Sequence, residues 1–280
     1  DTYLLLTDRP HAYILQRLNA RVFKDIPALM RNLAAVTDYL RRADDDPRHV
    51  LTLVPTLEGK RYLHTEAGED WRLYEFVTDS LCLDQPETPD DFRQSGVAFG
   101  GFQNSLADFP AETLAETIPR FHDTPHRLAA LERAIREDAA GRVKGAGPEI
   151  DFFLEREREA ATLMNMCRAG ELPLRVTHND TKLNNVLIDR NTGRGLCVVD
   201  LDTVMPGLTA YDFGDAIRFG ANTAVEDEPD LERVSLSLPM FAAYAKGYLS
   251  MAHDALTEAE IASLATGVRM MTLECGMRFL

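Results

Sequence analysis

Residues 176–187 read Val-Thr-His-Asn-Asp-Thr-Lys-Leu-Asn-Asn-Val-Leu, and three of them are chemically complementary. Asp180 is a carboxylate able to take a proton from a hydroxyl. Lys182 is a cation two residues on, and Asn185 offers a neutral amide oxygen. Asp200 ends the apolar run Leu196-Cys197-Val198-Val199, where a carboxylate is costly unless paired or metal-bound. Asp202 follows it. An amide oxygen and one or two carboxylates suit Mg2+, which completes its shell with phosphate oxygens and water. A base for a hydroxyl beside a cation for phosphates is the equipment of phosphoryl transfer. Taken singly, each residue has a plainer role: Asp180 and Asn185 as turn residues, Lys182 as a solvated surface lysine. His178 is assigned such a role within the catalytic group, as a buried brace of the loop.

The flanking sequence must position these groups. A short strand over 174–177 leads into the loop. Residues 186–189 and 195–201 form a hairpin around Asn191-Thr192-Gly193. Reflection about a turn centred between Thr192 and Gly193 puts Asn185 opposite Asp200. Opposed residues of an antiparallel pair lie about 4.5–5.5 Å apart, so the two side chains are expected to meet beside Asp180.

Residues 1–77 read as a small lobe of strands with one helix. Strands are predicted over 3–6 and 12–18 around a turn at Asp8-Arg9-Pro10, and over 50–55, 60–65 and 71–77. Asp25 and Pro27 open a helix whose apolar residues Ile26, Leu29, Met30, Leu33 and Val36 recur at helical spacing. The Pro- and Asp-rich stretch 84–91 is the candidate boundary region between lobes. Residues 78–280 read as a mainly helical lobe, with helices over 90–106, 111–122, 126–140 and 149–169, and again from Asp212. Thr257 and Glu260 have the spacing of a capping box. The expected class is α+β, with two lobes and a catalytic-loop hairpin in the second.

His178-x-Asp180, with Lys182 at the second position after the Asp and Asn185 at the fifth, has the spacing of the protein-kinase catalytic loop. Two segments compete with Asp200 as the following metal residue. Asp212-Phe213-Gly214 spells the kinase metal motif but lies 27 residues beyond Asn185, and Asp212 is read instead as a helix N-cap. Asp200-Leu201-Asp202-Thr203 also resembles the opening motif of haloacid-dehalogenase-like phosphatases, with Asp200 as nucleophile. That reading needs a parallel sheet downstream, where the sequence reads helical.

The loop with Asp200 resembles the aminoglycoside phosphotransferase/choline kinase-like superfamily, small-molecule kinases with a protein-kinase-like fold. A closer likeness, to the N-acetylhexosamine 1-kinases, rests on residues 13–19 (Tyr-Ile-Leu-Gln-Arg-Leu-Asn) with 22–25, and on 178–185. It rests equally on 200–207, 211–220 and 273–279. The resemblance implies a kinase using ATP and Mg2+ on the anomeric hydroxyl of an N-acetylhexosamine. Asp180 would be the base and Lys182 would steady the γ-phosphate. Asn185 and Asp200 would hold Mg2+, with Asp202 as a possible second carboxylate ligand. The segment Glu75, Phe76 and Val77 would contact adenine. Asn179, Arg218 and Arg278 are the candidates for the sugar side, although Arg218 and Arg278, like His122 and Arg127, also read as structural residues within apolar helical segments. Another hydroxyl acceptor, such as an aminoglycoside, an amino alcohol or a different sugar, is the near alternative, and a non-catalytic pseudokinase the distant one. The chain departs from the pattern in its first lobe. No glycine precedes Gly59, so the nucleotide loop is expected upstream of Asp1 or lost. The third-strand lysine is missing, with Arg17 expected to replace it, and the following helix has no Glu to pair with it.

The formal net charge of −15 argues against nucleic acid and anionic membrane surfaces as partners. It leaves room for a nucleotide substrate if a cation supplies local positive charge. The four cysteines form no C-x-x-C pair and are expected as free thiols, consistent with a cytoplasmic location.

Overall fold

Short apolar strands and a single helix build the first lobe of the computed structural model, which describes residues 1–8, 11–226 and 228–280. Strands β1 (Thr2–Leu6), β2 (Ala12–Arg17), β3 (Leu63–His64) and β4 (Asp70–Glu75) form an antiparallel sheet in the order β1-β2-β4-β3. The expected turn between β1 and β2 falls partly outside the described residues, at Arg9 and Pro10. Helix α1 (Ile26–Ala43) begins where the Asp25 carboxylate accepts the Ala28 N–H at 2.8 Å. Its face of Ile26, Leu29, Met30, Leu33 and Val36 is buried against the sheet and against Leu201 and Val204 of the second lobe. Two expected strands are reduced. Residues 50–55 make one isolated bridge, Leu53 with Tyr74, and Pro55 has no N–H to extend it. Of 60–65 only β3 pairs.

The second lobe contains β5 (Ser80–Cys82), α2 (Pro89–Ser105), α3 (Thr124–Glu137), α4 (Gly147–Leu154), α5 (Glu157–Ala160) and α6 (Thr162–Arg168). These are followed by β6 (Arg175–Thr177), β7 (Val186–Asp189), β8 (Gly195–Val198), β9 (Met205–Gly207), α7 (Thr209–Gly220), α8 (Leu238–Ala252) and α9 (Glu258–Phe279). β7 lies between β5 and β8, and β6 pairs with β9. The expected helix over 111–122 is absent apart from one 3-10 turn at Ala111–Thr113. Pro119 removes a helical donor, and Arg120 sits in left-handed backbone at φ 54. The expected 149–169 helix is broken at Arg156 and Ala161 into α4, α5 and α6. The capping box forms: Thr257 and Glu260 exchange hydrogen bonds at the start of α9.

The second lobe's core joins α2 to α8 through Phe92, Phe99, Tyr244 and Tyr248, with Phe213 of α7 beneath them. Helices α7 and α9 cross where Gly214 meets Gly267, because a Cβ on Gly214 would collide with the Gly267 backbone. This close crossing fixes α7, the helix that carries Asp212 and Asp215. Among the described residues no helix is long and apolar enough to cross a membrane.

Candidate active site

Strand β6 delivers residues 178–182 to the face between the lobes, and a 3-10 turn at Leu183–Asn185 carries the chain into β7. The loop is tied from all sides. His178 is fully buried, with Phe99 and Phe102 edge-on to its ring. Its Nε2 lies 2.8 Å from the Val199 carbonyl, and its Nδ1 accepts the Asp180 N–H at 3.3 Å, which selects the Nε2–H tautomer. His178 is therefore a brace and not a surface group. Asn179 lies in left-handed backbone at φ 64. Its side-chain amide donates to the Thr203 and Thr177 carbonyls, so its polar head is turned into the loop.

Helix α7 supplies the remaining ties. The Asp212 carboxylate accepts the N–H groups of His178 and Asn179, and Asp215 accepts that of Thr181 at 3.1 Å. This corrects the reading of Asp212 as an N-cap: it lies inside α7, whose N-cap position is Leu208. Burial pushes the Asp212 carboxyl up, against the pull of His178 and the two amides.

Asp180 faces the cleft. Asn185 Nδ2 donates to both its carbonyl and its carboxylate, at 2.7 and 3.2 Å. Lys182 Nζ lies 3.2 Å from its other carboxylate oxygen. Burial disfavours the charged form of Lys182, but Asp180, Asp215 and Glu226 outweigh it and raise the pKa.

The hairpin is in a different register from the one expected. Val186 pairs with Val198, Leu187 with Cys197, and the Val199 N–H donates to the Asn185 carbonyl at 2.9 Å. Asn185 thus opposes Val199, not Asp200. The cause lies at the turn. The Asp189 carboxylate accepts the N–H groups of Asn191 and Thr192, which moves the turn's centre back by one residue, and the register shifts again between Leu187 and Ile188. Asp200 leaves the strand at φ 58, ψ 57, and its side chain lines the cleft.

A divalent cation fits this donor set. The Asn185 amide nitrogen is spent on Asp180, which leaves its oxygen without a hydrogen bond among the described residues. Asp200 accepts none there either. Its carboxylate is open to the cleft yet ringed by protein. Desolvation first, then the neighbouring Asp202 and Asp180, raise its pKa against His178 and Arg72. No cluster of three His, Cys, Asp or Glu side chains that could hold a metal occurs among the described residues. A cation here would rely on phosphate oxygens and water for the rest of its shell. Asp202 is engaged in an ion pair with Arg72.

Arg72 was not anticipated, and it lines the cleft where Arg17 was expected. In the sheet Gln16 pairs with Arg72, and Arg17 with Trp71. Side chains alternate faces along a strand, so Gln16 and Arg72 look into the cleft while Arg17 looks away. Arg17 pairs at the surface with Asp1 and Glu69. Arg72 is 2 % exposed, held by Gln16 Oε1 at 2.8 and 3.0 Å and by Asp202. The strand alternation was legible in the sequence; the pairing that identifies Arg72 was not.

Two cavities adjoin the site, one at Asp200 and one at the loop. One, of about 230 Å³, lies between the first-lobe sheet and the hairpin, walled by Ile14, Gln16, Arg72, Tyr74, Glu75, Phe76, Val77, Leu187 and Asp200. The other, of about 560 Å³, contains Asn179, Asp180, Lys182, Asp215, Arg218, Glu226 and Arg278, with Phe23, Phe121 and Phe279. Arg218 is held by Asp215 and Glu226.

Two lobes with a carboxylate-bearing loop between two such cavities are the architecture of kinase-like phosphotransferases. The chain belongs to the APH phosphotransferase enzyme family, whose model matches residues 1–252, and is a small-molecule phosphotransferase of that family. It is similar to an amicoumacin kinase solved with AMP-PNP and Ca2+, at TM-score 0.66 and 15% identity over 98% of this chain and 75% of that one. An aminoglycoside phosphotransferase from Alicyclobacillus acidocaldarius gives 0.64 and 12% over 98% and 78%. A microcompartment-associated aminopropanol kinase gives 0.55 and 20% over 98% and 79%. At these identities the likeness is one of fold. It removes the phosphatase reading of Asp200, as does the sheet topology: every strand pair among the described residues is antiparallel.

Proposed function

We propose that this phosphotransferase is an ATP- and Mg2+-dependent kinase whose acceptor is an N-acetylhexosamine, phosphorylated on its anomeric hydroxyl. The observation that carries the choice of acceptor is the charge balance of the larger cavity. Lys182, Arg218 and Arg278 are matched there by Asp180, Asp215 and Glu226, and His122 on the same wall is paired with Glu274. A polycationic aminoglycoside favours a wall with excess negative charge. A neutral sugar favours balanced polar groups beside aromatic faces, as at Phe23, Phe121 and Phe279. The sequence likeness to N-acetylhexosamine 1-kinases points the same way.

In this reading the smaller cavity takes the nucleotide, with adenine against Glu75, Phe76 and Val77. Asn185 and Asp200 would hold Mg2+, which would offset the negative charge of the phosphates. Asp202 serves through Arg72 and not as a ligand. Arg72 places a fixed cation beside the phosphate end. Asp180 accepts the proton of the sugar hydroxyl as its oxygen attacks the γ-phosphorus and ADP departs. Asn185 and Lys182 orient the Asp180 carboxylate, so catalysis is chiefly positioning and charge stabilisation. Arg218 and Arg278 face the sugar, while Asn179 contributes backbone alone.

The test is incubation with ATP and Mg2+ over a panel of hexosamines, simple sugars, amino alcohols and aminoglycosides, with products read by mass. A phosphate on C1 of N-acetylglucosamine or N-acetylgalactosamine supports the reading. Product on an aminoglycoside alone contradicts the acceptor, and no product on any acceptor favours a non-catalytic protein.

A further inference from the structure

Asn179 is the residue before Asp180 and is not a glycine, yet its φ is 64. Asn adopts left-handed backbone more readily than most non-glycine residues, and here its surroundings hold it there. Asp212 grips its N–H, and Thr203 takes its side-chain amide. Thr177 Oγ1 donates to its side-chain oxygen, and its carbonyl lies 3.1 Å from His122 Nε2.

His122 comes from the irregular segment before α3 and is 8 % exposed. Its Nδ1 lies 2.9 Å from Glu274 of α9, which is 1 % exposed. The ring therefore has an acceptor at each nitrogen, a carbonyl on one side and a carboxylate on the other. Only the doubly protonated ring donates to both. Burial works against that charge, and Glu274, Asp215 and the Asn179 carbonyl restore it, so the pKa is raised. Two further charged groups act on the pair: Asp212 of α7, which interacts electrostatically with His122, and Arg127 of α3, whose Nε is 3.9 Å from Glu274. Thr124 Oγ1 donates to the other Glu274 oxygen at 3.4 Å, and the rings of Phe121 and Tyr211 flank the imidazole. A chain of contacts thus runs from α9 to the residue preceding Asp180.

We propose that His122 and Glu274 are a buried positioning pair for phosphoryl transfer, holding the Asn179 carbonyl so that the Asp180 carboxylate stays aimed at the acceptor. The pair sits in the wall of the acceptor cavity, since His122 lines it. It acts through Asn179 and does not touch the reacting atoms. The inference rests on the reading of Asp180 as the base.

Four proteins test it: the wild type, His122→Ala, His122→Gln and Glu274→Gln, each assayed for kcat and for KM toward ATP and acceptor. Misplacing a catalytic group by about 1 Å costs about 100-fold, so His122→Ala is expected to lose about that much kcat with KM for ATP within about twofold. His122→Gln, whose amide can still donate to the carbonyl, should recover most of the loss. Glu274→Gln removes a charge that favours the doubly protonated ring. Its kcat relative to wild type should fall as pH rises through the range in which an ordinary histidine titrates. This variant carries the test if His122→Ala does not fold. Wild-type kcat in His122→Ala, or a flat relative profile in Glu274→Gln, would overturn the proposal while leaving the kinase reading intact. A wild type without transfer to any acceptor would instead remove the reading on which it rests.

Discussion

The Asp212 carboxylate accepts the backbone N–H groups of both His178 and Asn179, at 2.7 and 2.8 Å. One buried side chain on α7 thereby fixes two successive peptides of the loop that presents Asp180. The literal Asp-Phe-Gly is thus a structural segment: Asp212 holds the loop and Phe213 is core.

Replacing Asp212 with Ala leaves two buried N–H groups without a partner. Hydrogen bonds to charged groups are worth about 1.5–3 kcal/mol, so a loss of that order is expected in denaturant unfolding, together with a fall in kcat. Phosphoryl transfer at the wild-type rate in folded Asp212→Ala would show that the loop does not need this tie.

Phe213 is 2 % exposed among Phe241, Tyr244 and Tyr248. Phe213→Ala should cost about 3–5 kcal/mol, as large aromatic truncations in cores do. At temperatures where the variant stays folded, KM for ATP should be unchanged. A nucleotide-specific defect with unaltered stability would mean that Phe213 acts in the site.

Arg72 and Arg17 separate two assignments of the first-lobe cation. Arg72→Gln is expected to raise KM for ATP about tenfold or more, equivalent to about 1.4 kcal/mol or above. Arg17→Gln, at an exposed pair, should change it little. The reverse pattern would restore Arg17 to the nucleotide site.

Much of this was legible in the sequence, and the limits have physical causes. The loop was readable because its groups are consecutive: chemistry and spacing lie in one stretch, and a short strand on each side frames it. Helix α1 and the capping box of α9 were readable for the same local reason. Arg72 was missed because its place depends on which residue faces Gln16 across the sheet, a long-range pairing. The register of β7 against β8 was misread by one residue because the Asp189 side chain captures the turn amides. The 111–122 helix was expected from apolar spacing that ignored Pro119. Glu274 carried no local signal, since its partner His122 is distant in sequence and meets it only when α9 packs.

Asp189 also gives a pH prediction. Its carboxyl is held down to about 2, first by Arg48 and then by the turn amides, from an ordinary 3.8. A depressed carboxylate stabilises the fold fully above its unfolded pKa, and that contribution disappears as pH falls through the folded one. The difference in Tm between wild type and Asp189→Asn should therefore be constant near neutrality and close between about pH 4 and pH 2. A difference that persists unchanged at pH 2 would contradict the pairing with Arg48.

The central claim is that Asp180 takes the acceptor's proton during phosphoryl transfer, and single-turnover transfer by Asp180→Asn tests it most directly. With ATP affinity measured on the same protein, the rate is expected to fall by at least about 100-fold, the lower range for loss of general-base assistance, while ATP binding stays within about threefold of wild type. Undiminished transfer by Asp180→Asn would contradict the account.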